Sequence, residues 1–191
     1  MKQSHQITQL LEACKRHDAK AQIEIYNRYY KAMYNTALRI VHNPDDAEDV
    51  MQEAFIKAFD KLNTLKNNTT FGAWLKRIVV NESILFLRQK KTHLGLDEHI
   101  NRIETTETET PIDTTTWQIK QLMEAIGELK DNYRIIINLY YIEGYDYEEI
   151  MQILNLSYAN VRTLISRAKH KLKEKMNQKL TNNNNTDLKI K

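Results

Sequence analysis

Residues 145–175 read YDYEEIMQILNLSYANVRTLISRAKHKLKEK, and their pattern decides the fold. Asp146 has the short acidic side chain of a helix N-cap, and Glu149, three residues on, completes a variant capping box. Ile150, Ile153 and Leu154 recur at the spacing of one helical face. Asn155 and Leu156 interrupt the pattern, and asparagine is among the few residues that accept a left-handed backbone. Ser157 opens a second helix as its N-cap, with Val161, Ile165, Ala168 and Leu172 as its inner stripe. Two capped helices joined by so short a turn predict a helix-turn-helix.

Outside that stripe lie Tyr158, Asn160, Arg162, Thr163, Ser166 and Arg167, followed by Lys169, His170, Lys171, Lys173 and Lys175. Residues 158–175 carry six Lys or Arg against one acid, Glu174. Amide, hydroxyl and guanidinium groups in the first turns suit base edges in a major groove wide enough for a helix. The cationic end suits phosphates, where released counterions supply affinity. A basic helix by itself is more often a solvated face. The paired caps and the turn between them favour the DNA-reading alternative.

The chain has 191 residues, compatible with one medium domain or two small ones. With 41% hydrophobic residues, 4 Gly and 2 Pro, it can build cores and has few helix breakers, so an all-α fold is expected. A net charge of +3 identifies no partner; the placement of charge is more informative than its sum. Cys14 is the only cysteine, which excludes an intramolecular disulfide and points to a reducing compartment. No apolar run is long enough to span a bilayer, and MKQSHQITQLLEACKRHD lacks a signal-peptide core. A cytoplasmic location is expected.

From the N-terminus, Ile7–His17 and Lys20–Val41 have helical spacing, and His42-Asn43-Pro44 breaks the second helix. Asn43 as N-cap and Pro44 at the first position start a third helix, DDAEDVMQEAFIKAFDKL. Its inward set is Ala47, Val50, Met51, Ala54, Phe55, Ala58, Phe59 and Leu62. Asp45, Asp46, Glu48, Asp49, Gln52 and Glu53 gather near its start. Acids in a first turn gain about 0.3–1 kcal/mol each from the helix dipole, which explains one or two of them. The excess reads as a docking face for a basic partner. After a polar loop at 63–70, Phe71–Lys91 forms a fourth helix, packed through Trp74, Leu75, Ile78, Val79 and Leu85. Arg77, Asn81, Arg88, Lys90 and Lys91 give it a polar, basic side. Phe71 and Trp74 at helical spacing suit a core, with base stacking as the alternative in a DNA-binding setting.

Residues 93–115 change character: ETTETET, Pro111, and six acids against one Arg. Such a segment buries too little apolar surface to fold alone and is expected to be a flexible linker. Its span lies between roughly 26 Å as a coil and 75–80 Å fully extended. Beyond it, Thr116–Leu129 places Ile119, Leu122, Met123, Ile126 and Leu129 inward, and Tyr133–Ile142 forms a short, very apolar helix. The end, TNNNNTDLKIK, is expected to be disordered. The predicted organisation is therefore a helical domain at 1–92, a linker at 93–115, a helix-turn-helix domain at 116–178 and a tail at 179–191. Scattered His residues and the lack of P-loop, GxSxG or dinucleotide motifs argue against a metal, a cofactor and an enzyme.

In this order the segments resemble a small RNA polymerase sigma factor of the extracytoplasmic-function group, over nearly the whole chain. DAEDVMQEAFIKAF is similar to the family's region 2 helix, FGAWLKRIVVNESILFLRQKK to its promoter-melting and minus-ten segment, and residues 133–176 to its minus-thirty-five domain. The resemblance implies that Asp46, Glu48, Asp49, Gln52 and Glu53 dock on the clamp helices of the polymerase's largest subunit. Asn81, with the 63–70 loop, is placed like the family's pocket for a flipped minus-ten base, while Arg77, Arg88, Lys90 and Lys91 would hold phosphates. For the minus-thirty-five groove it implies Tyr158, Asn160, Arg162, Thr163, Ser166 and Arg167, with Lys169 and Lys171 on the backbone. The polymerase flap, promoter DNA and an anti-sigma factor, membrane-anchored in the family's usual manner, are the implied partners. Met151, Asn155, Leu164 and Leu85 depart from the family pattern; Leu164 stands where the recognition helix commonly has an Arg, so a promoter sequence does not carry over. A stand-alone helix-turn-helix regulator and a helical protein-binding adaptor are the competing readings.

Overall fold

The computed structural model describes the backbone of residues 2–94 and 114–187, and the side chains of residues 6–90 and 118–179. The predicted linker falls almost entirely outside these residues. The chain divides into two compact units, Met1–Leu96 and Asp97–Lys191, and the regular structure of the described residues is helical in both.

In the first unit α1 (Lys2–Lys15), α2 (Ala19–Val41), α3 (Pro44–Asp60) and α4 (Phe71–Leu94) share one core. Asp18 caps α2 by accepting from the Lys20 and Ala21 amides, and Asn43 caps α3 by accepting from the Asp46 amide at 2.9 Å. Between them His42 takes a left-handed backbone, φ 58°. Ala47, Val50, Met51, Ala54, Phe55 and Ala58 of α3 are buried as their spacing predicts, against Ile25, Ala37 and Ile40 of α2 and Leu75, Val79 and Val80 of α4. Small residues at 47, 54 and 58 allow three helices to approach closely around that seam. Gly72 serves the same need, because a Cβ there would stand 3.1 Å from the Tyr29 ring. Leu62 and Leu65 bury themselves through a 3-10 turn at Leu62–Thr64, so the polar loop between α3 and α4 is tied down at both leucines. Cys14 is buried, which pushes its thiol up to about 11 and leaves it protonated and inert near neutral pH.

Leu85, expected to pack, is exposed instead. The apolar stripe of α4 runs through Leu75, Val79, Ile84 and Leu87, and Leu85 lies off it.

The second unit comprises α5 (Thr114–Gly127), α6 (Asp131–Ile137), α7 (Tyr147–Leu154) and α8 (Tyr158–Asp187). Its core is Ala125, Ile126, Leu129, Ile136, Ile137, Leu139, Ile150, Ile153, Val161, Ile165 and Ala168. The segment expected as one helix over 133–142 changes pitch: α6 gives way to a π-type turn over Asn138–Ile142. Nor is that segment wholly apolar inside, since Arg134 is buried and bonded to Asp131 at 2.7 Å. Among the described side chains of α5, Ala125 and Ile126 are buried while Ile119, Leu122 and Met123 are exposed. α8 extends past the expected end at 178 to Asp187. Its Lys175 and Lys179 are braced against α5, no Gly or Pro follows, and adding a turn to an existing helix costs far less than starting one.

The turn between α7 and α8 follows the expectation closely. Asp146 and Glu149 form the reciprocal capping box, Asn155 is left-handed at φ 55°, and Ser157 Oγ accepts from the Asn160 amide at 3.3 Å. A β-branched residue at 155 would be strained there. Asn155→Val should lower stability by about 1–2 kcal/mol, whereas Asn155→Gly should not. Equal denaturation midpoints for Asn155→Val and the parent chain would show that the turn has another shape.

Candidate nucleic-acid and polymerase interfaces

On α8 the inner and outer faces separate cleanly. Val161, Ile165 and Ala168 are buried, and Leu172 is half-buried. Tyr158, Asn160, Arg162, Thr163, Ser166, Arg167, Lys169 and Lys171 are all exposed. Among the described residues no ion pair engages Arg162, Arg167, Lys169 or Lys173. The Thr163 hydroxyl donates to the Ala159 carbonyl at 2.8 Å, leaving its oxygen free to accept. Lys171 bonds Glu174 at 2.8 Å, and that bond pushes its pKa up. The basic stripe therefore has two parts. From 162 to 173 it faces outward. Beyond it, Lys175 reaches Glu128 at 3.4 Å, and Lys179 reaches Glu128 at 2.8 Å and Glu124 at 3.2 Å. The sequence reading put Lys175 on the outer face; the structure gives it a fastening role.

On α3, Glu48, Asp49, Gln52 and Glu53 are exposed, and among the described residues Glu48 and Asp49 have no ion-pair partner. Asp46 is different. Its carboxylate pairs with Lys90 of α4, which also lies over the Phe86 ring at 5.6 Å. A residue expected to dock a partner and one expected to hold a phosphate thus satisfy each other. Lys57 makes a parallel link from α3 to Glu82 of α4 at 2.7 Å and also reaches Glu53 at 3.2 Å, bonds that push its pKa up. Sequence reasoning missed Glu82, whose only signal was an acid on an otherwise basic helix.

Arg77, Asn81 and Arg88 of α4 fall at i, i+4 and i+11, one helical face, with exposed Leu85 beside them. Trp74 is half-buried near this face, while Phe71 is a core residue, 5.1 Å edge-on to Tyr29 and 5.9 Å from Trp74. The loop at 63–70 holds a second 3-10 turn, Asn68–Thr70, and Asn68 donates to Glu12 of α1 at 3.0 Å. Helical rise puts Asn81 roughly 15 Å along α4 from Phe71. Among the described residues no hydrogen bond joins Asn81 to that loop. The side chain of Lys91 lies outside the described residues.

Two family models match: Sigma-70 region 2 over residues 25–93, and Sigma-70 region 4 over residues 119–172. SigV, an RNA polymerase sigma factor of Bacillus subtilis (strain 168), is 35% identical over 136 residues, covering 71% of this chain and 78% of its own. The chain belongs to the extracytoplasmic-function (ECF) RNA polymerase sigma factors. The ECF sigma factor SigW of the same organism is 29% identical over 180 residues, 89% of this chain and 96% of SigW. The solved fold of the sigma factor RpoE from Bartonella quintana, crystallised with the anti-sigma factor NepR, is similar with a TM-score of 0.58 at 22% identity, over 81% of this chain and 95% of that one. CnrH, solved with the cytosolic domain of CnrY, gives 0.53 at 22% identity, over 88% and 96%. As an ECF sigma factor the protein directs promoter-specific initiation of transcription. Among the described residues no helix is long and apolar enough to cross a membrane.

In this sigma factor the brace between α5 and α8 depends on pH. Burial works to raise Glu128, but its bonds to Lys179 and Lys175 outweigh it and hold the carboxyl below the usual range. Its contribution is complete above the unfolded carboxylate pKa, about 4.3, and is lost as pH falls through the lower folded value. Glu128→Gln should therefore lower the melting temperature at pH 7, by the equivalent of at most about 1 kcal/mol. The gap from the parent should narrow progressively as pH falls below the unfolded carboxylate value. A gap that stays constant throughout acidification would mean that the charge is not what holds the two helices.

Proposed function

We propose that the two units act through separate surfaces on one polymerase–promoter complex. The outward face of α8, Tyr158 through Lys171, reads the minus-thirty-five element: Asn160, Arg162, Thr163, Ser166 and Arg167 meet base edges, and Lys169 and Lys171 meet phosphates. The observation that carries this reading is that, among the described residues, no ion pair engages Arg162, Arg167 or Lys169, on a helix whose opposite face is buried. A cation with no acid of its own chain nearby keeps its charge available for a partner.

Glu48, Asp49, Gln52 and Glu53 dock on the clamp helices of the polymerase's largest subunit. Asp46 contributes to that surface by fixing α3 against α4 through Lys90. On α4, Asn81 takes the flipped base of the minus-ten element, where base extrusion costs a few kcal/mol and must be offset by stacking and edge contacts. Arg77 and Arg88 hold the neighbouring phosphates, with Lys90 and Lys91 at the distal end. The second unit also meets the polymerase flap. The protein is no enzyme on this reading; it lends the polymerase its specificity. It works in the cytoplasm and is restrained by an anti-sigma factor, probed in the family by structures such as those of RpoE with NepR and CnrH with CnrY.

Two variants separate the surfaces. Arg167→Ala should cost about 1–3 kcal/mol in promoter discrimination and leave affinity for core polymerase unchanged. Charge reversal at Asp49 and Glu53 should weaken polymerase binding and spare the ranking of promoters in whatever holoenzyme forms. Binding to core enzyme and run-off transcription check both. Loss of the same activity in both variants would contradict the assignment.

A further inference from the structure

Four tyrosines form an unbroken line across the second unit. Tyr141 stands edge-on to Tyr140, with ring centroids 4.8 Å apart and planes at 85°. Tyr140 meets Tyr147 at 5.4 Å and 52°, and Tyr147 meets Tyr158 at 5.4 Å and 58°. Tilted and edge-on rings at these separations are the attractive arrangements of aromatic quadrupoles. The line joins three successive elements of the chain: the π-type turn, the first residue of α7 and the first residue of α8. The π-type turn contributes by placing two successive rings, Tyr140 and Tyr141, in contact.

The end of this line matters. Tyr158 is 49% exposed and opens the helix whose N-terminal residues enter the groove. Its ring can pack on a thymine methyl, and its hydroxyl can donate or accept. An exposed tyrosine ordinarily samples several χ1 wells. Here the Tyr147 ring occupies one side of it. Tyr147 is itself held between two rings, Tyr140 on one side and Tyr158 on the other, each with its centroid 5.4 Å away; burial and the neighbouring phenols push its pKa up. The start of α7 carries Asp146, Glu148 and Glu149, which would repel a phosphate, so a direct DNA contact by Tyr147 is disfavoured.

We propose that Tyr147, braced by Tyr140, is a positioning residue for promoter reading: it fixes the ring of Tyr158, so that discrimination at the base pairs met by the start of α8 depends on two side chains acting through Tyr158. This rests on the assignment of α8 to the minus-thirty-five element.

The test uses full-length protein in reconstituted holoenzyme and a set of promoters with single base-pair changes across that element. Tyr158→Ala should flatten the preference at one or two adjacent base pairs. Tyr147→Ala should flatten it at the same positions by roughly 2- to 13-fold, the range of one aromatic pair, and leave the others unchanged. Tyr147→Phe, which keeps the ring, should retain most of the preference. Adding Tyr147→Ala to Tyr158→Ala should change nothing further. Uniform loss over all promoters with Tyr147→Ala, together with a fall in melting temperature, would reduce Tyr147 to a structural role and overturn the proposal. So would losses in the double variant that multiply. If neither Tyr158→Ala nor Arg167→Ala altered the ranking of any promoter, the assignment of α8 itself would fail, and the proposal with it.

Discussion

The crossing of α7 and α8 is the constraint on which the second unit depends. A left-handed residue at Asn155 reverses the chain within three residues, and Ile150 and Ile153 of α7 then meet Val161 and Ile165 of α8 in the core. Burying each such side chain contributes roughly 1.5–3 kcal/mol, which exceeds what a left-handed asparagine costs. That burial fixes the rotation of α8 about its own axis. Once Val161, Ile165 and Ala168 face inward, Arg162, Thr163, Ser166 and Arg167 have no alternative but to face out. The outer surface is thus a consequence of the inner one.

The first unit applies the same logic with charge added. Alanines at 47, 54 and 58 let α3 sit deep among its neighbours, which turns its acids into two groups. The one near α4 finds a cation there, Asp46 taking Lys90, and a second link runs the other way, from Lys57 of α3 to Glu82 of α4. Those on the far side, Glu48 and Asp49, find none among the described residues. Like charges held together without a counter-ion raise the energy of the isolated fold and lower it when a basic surface arrives. The charge asymmetry of the helix follows from which acids its own partner helix can reach.

Local chemistry made most of the fold legible. The caps at Asn43, Asp146 and Ser157, the left-handed Asn155 and the buried set on α3 all depend on residues close in sequence, and each is where the pattern put it, except that Phe59 is only half-buried. Contacts between helices were harder to foresee. Nothing in the spacing of α4 announces that Lys90 reaches back to Asp46, 44 residues earlier, or that Lys175 and Lys179 reach α5. Periodicity also assigns a face without saying how much of it a small bundle covers, so Leu85, Ile119, Leu122 and Met123 were placed inside and stand exposed. The tyrosine line was invisible for the same reason: its members come from three segments that only the turn at Asn155 and the π-type turn bring together.

The central claim is that the outward face of α8 lies against promoter duplex when the protein is bound to polymerase. A photo-crosslinking residue at Thr163, in holoenzyme assembled on a cognate promoter, tests it most directly. The account predicts adducts to the upstream duplex around the minus-thirty-five element. Adducts confined to polymerase subunits, with none to DNA, would contradict it.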